Sequence, residues 1–462
     1  MKTPPKNNYW VAKFGGTSVA TFAAMTRCAK VIADYPNVRV VVVSAPAGVT
    51  NLLVQLSENN LDSAEILTIL NKINTIIYAI LESLPATEFP LIHQHIKELL
   101  ENLKTSATAL SKTYSRSLAD ELLSYGERFS APLFACVLSS HGLKASYHDA
   151  RTFIKTNDNY GKAEALIEKI SDRVEELLLP KCAEQIVVTE GFIGSTAENI
   201  TTTLGRGGSD YSAALLAEAL NAEVLQIWTD VPGIYTVDPR LVTKAKPIES
   251  MCFTEAAELA NFGAKVLHPA TLWPAIRKDI PVYVGSSINS QAQGTWIRAK
   301  SLDEKNEPLL RAISLRRHQS LLTINSLEML HTHGFLAKIF SLLARHELSV
   351  DLVTTSEVSV ALTLNNSDRG DNELLTPEIL AELQAIGNVS LTVDKNLCLI
   401  ALVGHKLHLT PGISGRVFHV LKKFNIRLIC HGASPHNLCF LVNEADANAV
   451  IEAIHTEFFE HN

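Results

Sequence analysis

The segment VAKFGGTSV at residues 11–19 constrains this chain more than any other stretch. A short apolar strand ends in Lys13 and Phe14, passes through Gly15-Gly16, and enters Thr17-Ser18 and a helical pattern. A glycine pair at a strand-to-helix turn lets backbone N–H groups approach an anion, and the helix N-terminus adds partial positive charge. Lysine beside such a turn is a point charge suited to phosphate oxygens. A Walker A loop is excluded, because it carries its lysine after the glycines at a longer spacing. A dinucleotide fingerprint is excluded too, for want of a third glycine at the required offset. Taken alone, the segment also reads as a tight βα turn with a solvated lysine.

Further apolar runs support an α/β sheet: Val38–Ser44, Ala145–His148, Ile186–Thr189, Val224–Trp228 and Pro281–Val284, with helical patterns between them. A run such as VRVVVVS, with no polar alternation, suits a parallel strand buried on both faces. The expected architecture is an open, mainly parallel sheet sandwiched by helices, with ligands at the carboxyl ends of the strands. Residues 52–123 hold no good strand and predict a helical excursion from this catalytic domain, set at 1–298. A polar stretch at 299–308 reads as a linker.

Beyond the linker two smaller units follow. His318–Ile324, Gly334–His346, Ser349–Thr354, Val358–Leu364, Pro377–Ile386 and Val389–Val393 read as a ferredoxin-like βαββαβ unit, assigned to 317–394. A second unit begins at Leu397–Val403 and runs through Gly415–Phe424, Ile426–Cys430, Leu438–Val442 and Ala445–Phe458. It lacks a last strand, and Leu309–Leu315 is left over. The expectation is that this run supplies it, so the second unit is 309–316 plus 395–462 and the first is inserted into it.

Composition excludes several classes. The chain has 462 residues and a formal net charge of −7, which argues against nucleic acid or an anionic membrane as the main partner. Its N-terminus lacks the apolar core of a secretory signal. No apolar run is expected to reach the length of a membrane span. Seven scattered cysteines without metal-ligand spacing suggest reduced thiols in the cytoplasm and no bound metal.

Four more segments fall where strands of the large domain end. SAPAGVTNLL starts at Ser44 and offers the Thr50 hydroxyl, though it also reads as an ordinary small-residue loop. SYGERFSA places Glu127 on a helix, either facing a cationic group or solvated. TLGRGGSDYSAALL sets glycines 205, 207 and 208 around Arg206 before Asp210 opens an apolar helix. Asp210 suits a first-turn carboxylate, and Arg206 offers a fork for a carboxylate. QIWTDVPGIYTVDPR and NFGAKVLHPAT carry Thr229, Asp230, Tyr235, Arg240 and Lys265. Lys13, Arg240 and Lys265 would gather positive charge at one sheet mouth, as phosphoryl transfer requires.

K-F-G-G-T-S, G-R-G-G-S-D, T-D-V-P-G-I-Y-T-x-D-P-R and F-G-A-K-V-L-H-P, in this order and spacing, closely resemble the aspartate kinases. The stretch from His331 to Leu364 resembles the first ACT domain of the lysine-sensitive, single-function class. The resemblance implies an amino-acid-kinase fold with two ACT domains, and transfer of the ATP γ-phosphoryl group to the β-carboxylate of L-aspartate. It makes Lys13 the stabiliser of the transferring group and Asp210 the residue that orients Lys13. Gly15 and Gly16 would line the phosphate path, and Ser44, Thr50, Glu127 and Arg206 would hold aspartate, with Glu127 on its ammonium. Thr229, Asp230, Tyr235, Arg240 and Lys265 would bind ATP, with Mg²⁺ carried by the nucleotide. L-Lysine would bind between first ACT domains of two subunits. Its contacts would come from Met329, Thr332, Gly334, Phe335 and Leu336, facing Val350, Asp351, Ser356 and Glu357. Edge strands of the ACT units predict a homodimer, with tetramers as a further step.

One departure from the pattern is Pro411, in the approach to the second unit's first helix. The rivals are an amino-acid kinase acting on glutamate or a nucleotide, and a ligand-sensing ACT protein with an inactive kinase domain. With the chain ending at Asn462, no fused dehydrogenase is expected.

Overall fold

The computed structural model describes residues 7–58, 61–263, 269–299, 308–330, 332–365 and 374–460. Its contacts divide the chain into two compact units. The first comprises Met1–Ile234, Pro247–Phe253 and Lys265–Leu302, and the second Tyr235–Lys246, Thr254–Ala264 and Asp303–Asn462. The continuous 1–298 domain expected above is therefore not one compact unit, because two of its segments pack with the C-terminal residues. Most of the expected linker lies outside the described residues, as does Lys265.

The first unit is built on β1 (Asn7–Phe14), β2 (Val38–Val43), β3 (Ala145–Tyr147), β4 (Ile186–Glu190), β5 (Ile193–Ser195), β6 (Thr201–Thr203), β7 (Ala222–Thr229), β8 (Ser250–Cys252), β9 (Val282–Ser286) and β10 (Thr295–Arg298). Eight of these strands form one sheet, in the order β3-β4-β2-β1-β7-β9-β10-β8. From β3 to β9 every neighbour pair is parallel, and β9–β10 is the antiparallel step. β5 and β6 form a separate hairpin. Parallel pairing buries both faces, which is why β2 carries valine at five of its six positions.

Helices α1 (Phe22–Asp34), α2 (Val49–Leu56), α3 (Ser63–Leu81), α4 (Pro90–Lys112), α5 (Arg116–Ser140), α6 (Ile167–Leu177), α7 (Leu179–Cys182) and α8 (Gly208–Ala219) connect these strands. The helical excursion is α2 to α4, and α5 runs on past residue 123 without a break, carrying Pro132 inside it. At 19 residues, with a mean hydropathy of 1.4 over 18 of them, α3 is by length and composition long and apolar enough to cross a membrane, although Glu65, Asn71, Lys72 and Asn74 interrupt its apolar run. Here one face of it, with Ile66, Ile69, Leu70, Ile73, Ile77 and Ile80, packs into the main core. A capping box fixes its start: Asp62 accepts from Ala64 and Glu65 N–H groups, both at 2.8 Å, and Glu65 reaches back to Asp62 N–H at 2.9 Å. α9 (Phe253–Asn261) and α10 (Pro269–Lys278) complete the connections.

The second unit is a six-stranded sheet of β11 (Leu310–Asn325), β12 (Val353–Thr355), β13 (Ser359–Asn365), β14 (Ser390–Gly404), β15 (Ile426–His431) and β16 (Asn437–Asn443), in the order β12-β13-β11-β14-β16-β15. The four runs expected as separate strands are halves of two long ones, β11 and β14, paired antiparallel from Leu310–Gly404 to Asn325–Ser390. Each half is marked off by a residue at positive φ, His318 (59°) and Asn396 (57°), and the register shifts there. The strand expected from Ser349 begins only at Val353. α11 (Phe335–Arg345) and α12 (Pro377–Gln384) cover one half of the sheet, while α13 (Ile413–Val420) and α14 (Ala447–His455) cover the other. Pro411 stands before Gly412, whose φ of 80° turns the chain into α13, so it does not interrupt that helix.

Candidate active site

β1 and β2 are adjacent and parallel, so their following loops emerge side by side. Gly15 N–H donates to Trp228 O at 3.1 Å, Ser44 N–H to Phe14 O at 3.1 Å, and Ala47 N–H to Gly16 O at 3.0 Å. A Cβ on Gly16 would stand 2.7 Å from Ala45 O, so only glycine lets the two loops approach this closely. Ser287 fastens the next strand ends, donating to Thr229 O at 3.0 Å and so accepting from Ser18 at 2.6 Å.

Lys13 is buried at the end of β1, and its Nζ lies 2.5 Å from Oδ1 of Asp210 in the first turn of α8. The turn before α8 needs its glycines: Gly205 and Gly207 have φ of 74° and 75°. Between them Arg206 is exposed. A Cβ on Gly191 would meet Ser209 Cβ at 2.6 Å, which brings the end of β4 against the same turn.

Glu127 is buried on α5, and burial pushes its carboxyl up to about 8 against the pull of Ala45 N–H and the Lys13 charge. The close fit of α5 to the post-β2 loop follows from Gly126, where a Cβ would fall 2.5 Å from Ala45 Cβ. Ser44 is half-buried and accepts from Ser130 through its carbonyl at 2.7 Å, and Thr50 is exposed in the first turn of α2. These contacts bring Lys13, Gly15, Gly16, Ser44, Glu127 and Asp210 onto the carboxyl ends of adjacent strands.

A second buried carboxylate, Glu190, was not singled out by sequence. It ends β4, accepts from Tyr147 Oη at 2.6 Å and from Ala150 N–H at 2.9 Å, and adds negative potential at Glu127. Burial and the Asp149 charge raise its own carboxyl. Beside it Arg151 forks onto Asp149 (2.6 to 3.2 Å). The available signal was a carboxylate followed by glycine at a strand's end, VVTEGF.

The other candidates are more dispersed. Thr229 donates to its neighbour Asp230 at 3.0 Å at the end of β7. Tyr235 and Arg240 belong to the second unit. Tyr235 is half-buried, and Arg240 is exposed with its guanidinium forked onto Asp238 at 2.6 to 3.1 Å. In the same unit Gly334 (φ 81°) starts α11, with Thr332 and Leu336 exposed around it and Met329 half-buried. Phe335 points into the core, so only its backbone is available to an effector. Asp351 pairs with Arg316 at 2.6 Å, half-buried Val350 immediately precedes it, and Ser356 (bonded to Ser359 at 2.6 Å) and Glu357 follow β12.

A sheet of this order, with a lysine–aspartate pair behind a glycine turn, defines an amino-acid-kinase fold, and residues 8–286 match that family. Residues 400–458 match an ACT domain. The chain is 52% identical to lysine-sensitive aspartokinase 3 of Escherichia coli, over 97% of its own length and 99% of that protein's. It is similar to the solved structure of E. coli aspartokinase III in complex with aspartate and ADP in the R-state, with a TM-score of 0.88, 51% identity and coverage of 98% of this chain and 100% of that one. The T-state structure of the same enzyme, with lysine and aspartate, matches with a TM-score of 0.84 at the same identity and coverage. The chain belongs to the aspartokinase family.

Proposed function

We propose that this protein transfers the γ-phosphoryl group of ATP to the β-carboxylate of L-aspartate, giving 4-phospho-L-aspartate, and that L-lysine inhibits it. The observation that carries the reading is the buried Lys13–Asp210 pair at the carboxyl end of β1. The relatives' complexes with aspartate, ADP and lysine support the choice of substrate, nucleotide and effector.

The β-carboxylate of aspartate is already ionised at neutral pH, so attack needs no general base. Catalysis then reduces to in-line positioning and neutralisation of charge on the equatorial oxygens. Lys13 supplies the cation, and Asp210 holds its ammonium in place, shared between partner and substrate oxygens. Gly15 and Gly16 present backbone to the phosphates without side-chain obstruction. Glu127 takes the substrate ammonium, Arg206 its α-carboxylate, and Thr50 and Ser44 the reacting carboxylate. Thr229, Asp230, Tyr235, Arg240 and Lys265 bind ATP. Mg²⁺ would be held by the nucleotide and water and would neutralise phosphate charge, while Asp210 is committed to Lys13.

The C-terminal residues form two ACT domains, 317–394 inserted into 309–316 plus 395–462, and they join two subunits in a homodimer that places L-lysine between first ACT domains. The enzyme works in the cytoplasm. A coupled ADP-release assay with aspartate against glutamate decides the substrate, and a rate with glutamate equal to or above that with aspartate overturns the assignment.

A further inference from the structure

The loop that carries Tyr235 and Arg240 is built into the core of the second unit. Val237 and Val242 are buried in one apolar cluster with Ile400, Val417, Leu438, Phe440, Ile451 and Phe458. Thr236, between the valine and the tyrosine, spends every polar group on neighbours in this unit. Its N–H donates to Lys246 O at 2.9 Å, and its carbonyl accepts from Ile313 N–H at 2.7 Å. Its hydroxyl oxygen accepts from Lys246 N–H at 3.0 Å. The same hydroxyl lies 3.1 Å from Nε2 of His455, to which it donates when that nitrogen is unprotonated.

His455 ends α14 and is wholly buried, its ring stacked on Phe459 at 5.1 Å. Nδ1 lies 3.3 Å from Glu460 Oε1, whose other oxygen accepts from Lys244 Nζ at 2.5 Å. The Lys244 hydrogen bond holds the Glu460 carboxyl below the usual range, so it accepts at neutral pH. With the Nδ1–H tautomer of His455 the chain runs one way: Lys246 N–H to Thr236 Oγ1, Thr236 O–H to His455 Nε2, and His455 Nδ1–H to Glu460. Both ends of this chain, Lys244 and Lys246, return to the loop, and Lys246 Nζ also donates to Phe459 O. A loop tethered only at its surface would not need a buried imidazole at its centre.

We propose that His455, acting through Thr236, is a positioning residue for nucleotide binding: the C-terminal helix fixes the backbone from which Tyr235 and Arg240 meet ATP. The inference rests on the assignment of those two residues to ATP. It gives the last helix of the chain a part in substrate binding without touching substrate. Removing either side chain loosens the loop at Thr236 while Val237 and Val242 keep it in the core, so part of its ordering must be supplied by the nucleotide.

The test uses the full-length protein, with steady-state kinetics for both substrates and calorimetric titration of Mg-ADP. Thr236→Val keeps the shape and removes the hydroxyl, and it should raise the KM for ATP and weaken Mg-ADP about tenfold, the loss expected for a buried bond left unpaired. The KM for aspartate should stay within about twofold, since no aspartate-binding residue lies on this loop. His455→Phe should do the same, while His455→Gln, whose amide oxygen can reach the position of Nε2, should recover most of the affinity. If His455→Phe does not fold, the isosteric Thr236→Val decides. A folded Thr236→Val protein with unchanged ATP and ADP affinity overturns the proposal, and so does an equal rise in both KM values. Tyr235→Ala and Arg240→Ala separate this from its premise: weaker nucleotide binding there with unchanged binding in Thr236→Val refutes the positioning role alone. Unchanged binding in Tyr235→Ala and Arg240→Ala removes the loop from the nucleotide site and overturns both.

Discussion

Lys13 and Asp210 stand 197 positions apart in sequence and 2.5 Å apart in the fold, joining the end of β1 to the first turn of α8. Each would be costly to bury alone, and together they keep a fixed cation behind the glycine turn. Lys13→Ala is expected to lower kcat by about two orders of magnitude, a usual cost of losing a transition-state charge contact. Asp210→Asn should lower it less, because the ammonium stays but is no longer held. Initial rates at saturating ATP and aspartate check both, and full activity in Lys13→Ala would remove Lys13 from the mechanism.

Binding of aspartate should depend on pH through Glu127. Burial and the Glu190 charge raise its carboxyl to about 8, while Ala45 N–H and Lys13 oppose this. Below that pH the free protein holds a proton that an incoming ammonium must displace. The KM for aspartate should therefore fall as pH rises from 6 towards 8, by up to about tenfold per unit, and level off above. The stability effect has the opposite sign. A carboxyl with a raised folded pKa binds more protons in the folded state, so its contribution is full below the ordinary range of glutamate and is lost as pH rises through about 8. Glu127→Gln should flatten the KM profile. A profile that keeps its slope in that variant would falsify the assignment.

Gly16→Ala tests the close approach of the two loops. The added Cβ meets Ala45 O at 2.7 Å, and backbone on both sides must shift. A destabilisation of about 1–3 kcal/mol is expected. The larger loss should be in kcat, since Lys13 and the phosphate path move with the turn. Thermal unfolding beside kinetics separates the two effects, and near-native kcat would mean that the loops adjust freely.

Inhibition by lysine should be cooperative if two subunits share the effector, and stronger than inhibition by threonine, which offers one cation where lysine offers two. Asp351→Ala and Glu357→Ala should weaken it with little change in uninhibited rate. Asp351 carries a further consequence, because it is paired with Arg316, and lysine must displace or share that guanidinium. Arg316→Ala should accordingly tighten lysine binding. Activity titrated with lysine and threonine reads all of these, and unchanged activity at millimolar lysine defeats the assignment.

Assembly is open to a direct measurement. Leu336, Phe340, Val353 and Val358 are exposed apolar side chains on α11 and around β12, the kind of surface that pairing covers. Sedimentation at micromolar concentration should give at least a dimer. A monomer with and without lysine would contradict the shared effector site.

The sequence by itself determined the class of fold and the chemistry. Buried parallel strands write themselves as unbroken valine runs, and glycine turns with positive φ admit few other residues, so VRVVVVS, KFGGTS and GRGGSD are legible locally. Strand–helix alternation also left the run at Leu309–Leu315 without a partner, and its residues from Leu310 pair along β14. Tertiary structure decided what depends on meeting across the chain. The run at Leu309 and the one at His318 look separate because polar residues intervene, yet a single positive-φ residue lets one strand carry both. Glu190 was hidden because one glutamate at a strand end resembles any other until burial and Tyr147 give it a role. The placement of Tyr235–Lys246 with the C-terminal residues could not be read locally either. Val237, Val242 and Thr236 look like ordinary loop residues until His455, more than two hundred positions later, closes the hydrogen-bond chain that gives them their place.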